Sequence, residues 1–476
     1  MQVLGYSEGY HDAAAAVVDG SNILFAAHSE RYSKIKGDKI ISPHLKQYID
    51  NNYNIECNSF YEKPWLKRYR QFLAGQKSWR QFRKLSWKPS VTQYHHISHL
   101  ASAFQTSSFD SAIGLVIDAI GEMDTVSFWA CEYVNDKAEY KCIWRRKYPF
   151  SLGLFYSAMT QRVGLKPMED EYILMGMSAY GNPYLYKKEM LDQLNKNNHQ
   201  GAGKFLPGAT DEDIAAGAQL IINKALYHMI RSDIKLNNNI VIAGGVALNC
   251  VALQYACKRV GDVNVWISPN PGDAGAALGA AALVERKRLN WDNSFLGYEL
   301  PEIDFKPVVK HLNIHGIAGV AAGKAEFGPR ALGNRSLLAD PRTIEMKDKV
   351  NVIKKRQKFR PFAPVVLEEH ADKYFEMPKY NRCEYMQFAV KCKEPKKIPA
   401  VVHKDGTSRV QVVGKDSNNK RMFEILQHWY RLTGCPVLLN TSLNIKGQPM
   451  INDLEDIYKF ETQNSVKVFH ARQYKR

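Results

Sequence analysis

Along the first thirty residues, apolar and polar positions come in short blocks. VLGYS is brief and apolar, GYHD is a polar turn, and AAAAVVDG and NILFAAHSE are two apolar runs joined at Asp19-Gly20. Blocks of this length bounded by Gly and Asp predict a strand, a turn and a hairpin. The pattern recurs in AIGLVIDAIGEMDTVSFWACEYV, residues 112–134, where an apolar strand ends at Asp118, a Gly-containing turn follows and an alternating strand returns. Two hairpins, each with an acid at its tip, predict a duplicated α/β core that points turns at a phosphate or a metal.

Residues 211–235 have the helical period, with Asp211 near the N-cap. NNNIVIAGGVALNCVALQYAC reads as a turn, a buried strand and a helix opening near Ala247. A strand that ends in glycines before a helix presents free backbone N–H groups to an anionic or nucleotide ligand. WISPNPGDAGAALGAAALVERK is another strand, a Pro/Gly turn and a small-residue helix with Asp273 at its mouth. Residues 289–310 lack a clear period, carry two prolines and read as a linker. Beyond it come IHGIAGVAAGKAEFGPRALGNRSLLADPR, the basic NVIKKRQKFRPFAPVVL, SRVQVV and PVLLNTSLNIKGQP. They predict a second, smaller α/β domain over 312–476 with its own anion site, after a first domain over 1–300.

A chain of 476 residues is too long for one ordinary core, which agrees with that division. No apolar run approaches the roughly 18 residues of a membrane helix, so no membrane partner is expected. MQVLGYSEGYHD lacks a basic region followed by an apolar core, and the eight cysteines form no CxxC pair. The expectation is a cytoplasmic protein with reduced thiols. Oligomeric state is not legible. A net charge of +17 favours polyanionic partners. Residues 61–90 concentrate it, with nine Lys or Arg against one acid, interleaved with seven aromatics. Cations for phosphates and rings for bases suit a nucleic-acid groove. The plainer reading is a solvated amphipathic helix with its rings turned inward.

YHHISHLASAF places His95 and His99 one helical turn apart, so both imidazoles reach one point. HxxxH alone is equally two polar helix histidines. Asp118 and Asp273 complete two histidines and two carboxylates, a donor set for a borderline divalent metal such as iron, zinc or manganese. His11, beside Asp12 at the first hairpin turn, has the chemistry of a general base, or of a turn residue satisfied locally. In the second domain Arg330, Arg335, Lys354, Lys355, Arg356, Arg360 and Arg409 suit phosphate and carboxylate oxygens. Backbone N–H groups around Gly328 and Gly333 extend that cradle. No Walker motif is present, so any ATP site here lacks a P-loop.

FGPRALGNRSLLADPR, FRPFAPV, NTSLN, GGVALN, PGDAG and HHISH together resemble the NodU/CmcH O-carbamoyltransferases. The resemblance runs from HDAAAA to NTSLNIKGQP. It implies an actin-like (ASKHA) N-terminal domain and a YrdC-like C-terminal domain. It implies that the second domain makes carbamoyl-adenylate from carbamoyl phosphate and ATP with Mg²⁺, and that the first passes the carbamoyl group to an acceptor hydroxyl. By the same resemblance His95, His99, Asp118 and Asp273 hold Fe²⁺ or another divalent metal. His11, next to Asp12, is the base, and Lys36 lies near the transferred group. Gly244, Gly245 and Asn249 form a nucleotide-binding turn. Lys354 and Arg356 match a KxR element, Ser442 and Asn444 an SxN element preceded by Asn440, and Arg330 and Arg409 anion-binding positions. DGxGE of the family is DAIGE here, and a Lys of EyKxMG is Ile173.

Known members act on sugars or antibiotic alcohols, which do not call for a charge of +17. The basic stretch 61–90 points instead to an acceptor on nucleic acid, the hydroxymethyl group of 5-hydroxymethylcytosine in DNA. The alternatives are a small sugar or antibiotic alcohol, a tRNA threonylcarbamoyl-type enzyme, and a non-catalytic nucleic-acid-binding module on the same scaffold.

Overall fold

A computed structural model describes residues 1–73, 75, 84–233 and 235–471. The chain divides into two compact units. The first comprises Met1–Ser33 and Gly37–Trp291, and the second Lys34–Lys36 and Asp292–Arg476.

The first unit is built on two five-stranded sheets. One contains β1 (Gln2–Ser7), β2 (Ala14–Asp19), β3 (Asn22–His28), β4 (Cys57–Phe60) and β5 (Val91–Thr92), in the order β3-β2-β1-β4-β5. The other contains β6 (Ser111–Ile117), β7 (Asp124–Val134), β8 (Lys137–Lys147), β9 (Asn239–Ala243) and β10 (Asn264–Ile267), in the order β8-β7-β6-β9-β10. In each sheet the first three strands form an antiparallel meander and the last two run parallel to the first. The same order and directions twice over are the duplicated, actin-like arrangement.

Three helices of this unit carry the site: α1 (Pro64–Leu73), α2 (His95–Phe104) and α3 (Asp273–Glu285). α3 is almost all Ala and Gly on its buried residues. This lets backbones approach without side chains between them. A Cβ at Gly279 would overlap the Ser98 carbonyl oxygen of α2, and one at Gly5 of β1 would overlap the Ala277 carbonyl oxygen. Leu4, Tyr6, Ala15, Val17 and Phe25 form the core behind one sheet, Leu100, Phe104, Val116 and Val241 that behind the other.

The second unit holds a six-stranded mixed sheet. Its strands are β11 (Ile317–Ala321), β12 (Arg335–Ala339), β13 (Ala363–Leu367), β14 (Gln411–Val413), β15 (Val437–Ser442) and β16 (Val468–Phe469), in the order β14-β13-β15-β12-β11-β16. The helix Lys420–Thr433 packs Met422, Ile425, Leu426 and Trp429 onto it. The expected linker 289–310 is largely structured: FLGYEL, residues 295–300, pairs antiparallel with Gly323–Glu326, and a helix starts at Lys306. Its alternation is only six residues long, too short to stand out in the sequence. The helix expected to open near Ala247 opens at Cys250, after a 3₁₀ turn over Gly245–Leu248, because the Asn249 side chain caps it by accepting from Ala252 N–H at 3.0 Å.

Gly279→Ala is expected to push α2 and α3 apart and to lower stability by about 1–3 kcal/mol, read as an earlier thermal unfolding transition.

Candidate functional site

α2 begins at His95, where the backbone N–H groups have no helical partner. Glu122, from the DAIGE turn, fills that role: its Oε1 accepts from His95 N–H at 2.9 Å and from Lys63 N–H at 2.8 Å. Gly121 of that turn lies against the histidine rings, where an added Cβ would sit 3.1 Å from Cδ2 of both His95 and His96. The glycine retained in DAIGE is thus the one the contact requires.

Held this way, His95 and His99 point their Nε2 atoms at each other, 3.0 Å apart. Asp118, following β6, brings Oδ2 to 3.0 Å from His95 Nε2 and 3.8 Å from His99 Nε2. Asp273, first residue of α3, brings Oδ1 to 3.4 and 3.2 Å from the same two atoms. All four donor atoms lie within 4.8 Å of one another, and all four residues are buried. Four ligands about 2.1 Å from one ion at tetrahedral angles lie about 3.4 Å apart, so the spacing and donor types fit a divalent transition metal.

Burial disfavours the carboxylates' charge, yet the adjacent His95 holds Asp118 and Asp273 below the usual carboxylate range. Burial likewise opposes charge on His95, but Asp273 and Asp118 hold it well above an ordinary histidine. His96, by contrast, turns away to Ser127 Oγ at 2.7 Å, and burial followed by the nearby His95 depresses it to about 3. It is a neutral packing residue.

His11 stands at the edge of this cluster. Its Nε2 lies 3.8 Å from Asp273 Oδ2, and its Nδ1 is 3.0 Å from Asp12 Oδ2. Burial lowers its affinity for a proton, but Asp273 and Asp12 outweigh that and raise it to about 9. A dication shared by Asp118 and Asp273 opposes the rise. Lys36 is exposed, groups with the second unit and adds positive charge near Lys354. In the GGVALN turn Gly244 has φ +91°, and the Gly245 N–H donates to Asp118 Oδ1 at 3.1 Å. Asn249 also exchanges hydrogen bonds with Gln219 at 3.0 and 3.1 Å. Ile173 is buried, so its position faces the core of the first unit.

In the second unit Lys354, Ser442 and Asn444 meet. Lys354 Nζ donates to Ser442 O at 2.5 Å, to Ser442 Oγ at 3.1 Å and to Asn444 Oδ1 at 2.5 Å. Burial, then Arg356, Arg360 and Lys36, holds its ammonium well below the ordinary lysine range. Arg356 is oriented by Asn351 Oδ1 at 2.8 Å and lies 4.1 Å over the Phe362 ring. Asn440 donates to Gln411 Oε1 at 2.8 Å and to Ala331 O at 3.1 Å, and its buried Oδ1 has no partner among the described residues. Arg330 and Arg409 are half-buried.

Two expectations, those at Gly333 and at Arg335, are corrected here. The N–H groups of Leu332, Gly333, Asn334 and Arg335 do not cradle a ligand: all four donate to Glu326 Oε1, at 2.8–3.2 Å. Arg335 is fully buried and gives its guanidinium to the carbonyls of Ala322, Gly323, Asn334, Tyr298 and Asn452. Both are internal, because the chain supplies its own anion and its own acceptors.

The structure divides the described cations of the basic stretch 61–90. Lys63 Nζ donates to Thr92 O at 2.7 Å, Lys67 Nζ to Glu62 Oε1 at 2.8 Å, and Arg70 is buried. Arg80 and Arg83 lie outside the described residues. On α1 the rings do the reverse of the amphipathic expectation, Trp65, Tyr69 and Phe72 being exposed along one face, while Tyr61 and Trp87 are buried. The sequence reading overlooked β8, which carries Lys137, Lys141, Arg145, Arg146 and Lys147 with Glu139 as its own single acid; Arg145 pairs with Asp124 of β7 at 3.2 Å, and Trp144 is exposed among them. It also overlooked Glu62, Glu122 and Glu326, single acids whose partners are set by the fold.

A duplicated actin-like core with a two-histidine, two-carboxylate cluster, followed by a second α/β unit, defines a two-part enzyme on an actin-like scaffold. Residues 44–204 and 195–282 match the carbamoyltransferase N-terminus family, and residues 309–475 the carbamoyltransferase C-terminus family. The chain is 30% identical to an uncharacterised protein of Synechocystis, over 96% of this chain and 93% of that one. It is 32% identical to nodulation protein NolO of Bradyrhizobium diazoefficiens, over 76% of this chain and 74% of that one. Among solved structures, HypF from T. kodakarensis matches with a TM-score of 0.36 at 13% identity, covering 60% of this chain and 47% of that one. The chain belongs to the carbamoyltransferase family and is a carbamoyltransferase enzyme. No helix among the described residues is long and apolar enough to cross a membrane.

Glu326→Ala strands four backbone donors in the interior. It is expected to destabilise the second unit by about 3 kcal/mol or more, seen as an earlier urea transition.

Proposed function

We propose that the chain is an ATP-dependent O-carbamoyltransferase that works in two steps. The second unit, with a YrdC-like role, takes carbamoyl phosphate, water and ATP with Mg²⁺: water cleaves carbamoyl phosphate to carbamate and phosphate, and the carbamate oxygen attacks the α-phosphorus of ATP, forming carbamoyl-adenylate and releasing pyrophosphate. Lys354, held by Ser442 and Asn444, and the arginines Arg330, Arg356 and Arg409 supply the cationic groups for those phosphates. In the first unit the acceptor hydroxyl oxygen attacks the carbamoyl carbon, its proton passes to His11 Nε2, and the bond to the adenylate oxygen breaks with release of AMP. His95, His99, Asp118 and Asp273 would hold Fe²⁺ or another divalent ion, which supplies Lewis-acid stabilisation of the oxygen that gains charge. The observation that carries this reading is the buried donor cluster with the His11 ring at its edge.

For the acceptor we infer a hydroxymethyl pyrimidine in DNA, with 5-hydroxymethylcytosine as its type. Support comes from the first unit's surface, where the exposed rings of α1 and the cations of β8 offer stacking and phosphate contacts. A duplex target would be flipped out to reach the cluster. The second reading, a small sugar or antibiotic alcohol, is favoured by the similarity to nodulation proteins.

Incubation with ATP, carbamoyl phosphate, Mg²⁺ and Fe²⁺ and each acceptor, followed by digestion and mass spectrometry, separates the readings. A carbamoyl adduct on hydroxymethylcytosine in DNA is expected. An adduct on small alcohols alone would overturn the DNA acceptor and keep the reaction. Asp273→Asn is expected to cut transfer by about 100-fold or more while carbamoyl-phosphate-dependent pyrophosphate release by the second unit persists.

A further inference from the structure

Each ligand atom of the cluster has to be aimed, and three of the four residues show how. His99 Nδ1 is 3.0 Å from the Pro271 carbonyl oxygen, so the ring donates there and frees Nε2. Asp118 is steadied through Oδ1 by Gly245 N–H, and Asp273 is fixed at the start of α3 with Oδ2 facing His11. His95 has no such bond: its Nδ1 is buried without a hydrogen-bond partner among the described residues. The group it faces is Glu62, whose Oε2 lies 3.7 Å away.

We propose that Glu62 is the positioning residue of His95 and that Lys67 holds Glu62 to that task. The proposal rests on the reading of the cluster as a metal site. A neutral imidazole carries one N–H, and an ion on Nε2 places it on Nδ1. That hydrogen then points at Glu62 Oε2. A separation of 3.7 Å is an ionic contact and not yet a hydrogen bond, and a small ring rotation closes it. Lys67 Nζ takes the other oxygen, Oε1, at 2.8 Å, with both side chains largely withdrawn from water.

The arrangement calls for a carboxylate in particular. Both neighbours are donors, Lys67 Nζ on one side and the His95 Nδ1–H on the other. Only a group with an acceptor at each end satisfies both. A glutamine of the same shape must turn its NH₂ toward one of the two, and donor then meets donor. Carboxylates behind ligating imidazoles fix the tautomer and raise ligand basicity, and their loss lowers metal affinity by about 10- to 100-fold.

The test is titration of the metal-free full chain with Co²⁺, following affinity and the visible d–d spectrum. Glu62→Gln is expected to bind about 10- to 100-fold more weakly, with a shifted spectrum. Glu62→Asp, which keeps two acceptor ends, is expected to recover part of the affinity lost in Glu62→Gln. Wild-type affinity and spectrum in Glu62→Gln would overturn the role of Glu62 alone. A wild-type chain that binds no Co²⁺ would overturn the metal site and this role together. Should Glu62→Gln fail to fold, Lys67→Met gives the answer: a shifted Co²⁺ spectrum is expected, and one superimposable on wild type overturns the proposal.

Discussion

The structure is organised around one costly act: two carboxylates and two imidazoles are buried within 4.8 Å of one another. Bringing charges out of water is unfavourable by several kcal/mol per ion unless each is paired and held in place. The surrounding fold supplies that holding. β6 delivers Asp118, α3 delivers Asp273, and α2 delivers both histidines. The bare backbone contact at Gly279 and Ser98 sets how close α2 and α3 lie, and so how close Asp273 comes to the rings. A larger residue there acts on the chemistry without touching it.

The second unit shows the complementary economy. Its sequence is crowded with cations, but the structure sorts them by what they face. Arg335 faces five carbonyl oxygens and Glu326 faces four amides, so each is part of the frame. Lys354 instead faces a serine and an asparagine, with Arg356 and Arg360 close by. A buried ammonium with neutral partners and cationic neighbours is poorly compensated from within. That imbalance fits a place where an anionic ligand completes the site.

How far the sequence reaches follows from the same physics. The two hairpins and the HxxxH pair were legible because their signals are local, a period of two or a spacing of four. Asp118 and Asp273 stood at strand and helix ends, where chemistry gathers. Their convergence with residues 95 and 99 was not legible, because it depends on the pairing of β6 with β9 and on the α2–α3 contact. Glu62, Glu122 and Glu326 were invisible for the same reason: each is one acid whose partner is set by the fold. Over 61–90, counting cations could not say that Lys63 meets a carbonyl and Lys67 an acid inside the protein.

α1 joins these themes. Lys67 and Arg70 lie inward, and Lys67 ends on Glu62 beside His95. Trp65, Tyr69 and Phe72 lie outward, at the i, i+4 and i+7 spacing of one helical face. Elsewhere in such proteins a helix turns its rings in and its charges out, because that arrangement buries more apolar surface. Here the inversion costs that burial, and a cost of this kind persists where the two faces do separate work. The inward charge ends on Glu62 beside His95, and the outward rings stand exposed. On the proposed reading, acceptor contact and ligand orientation reside on one short helix, ten residues long.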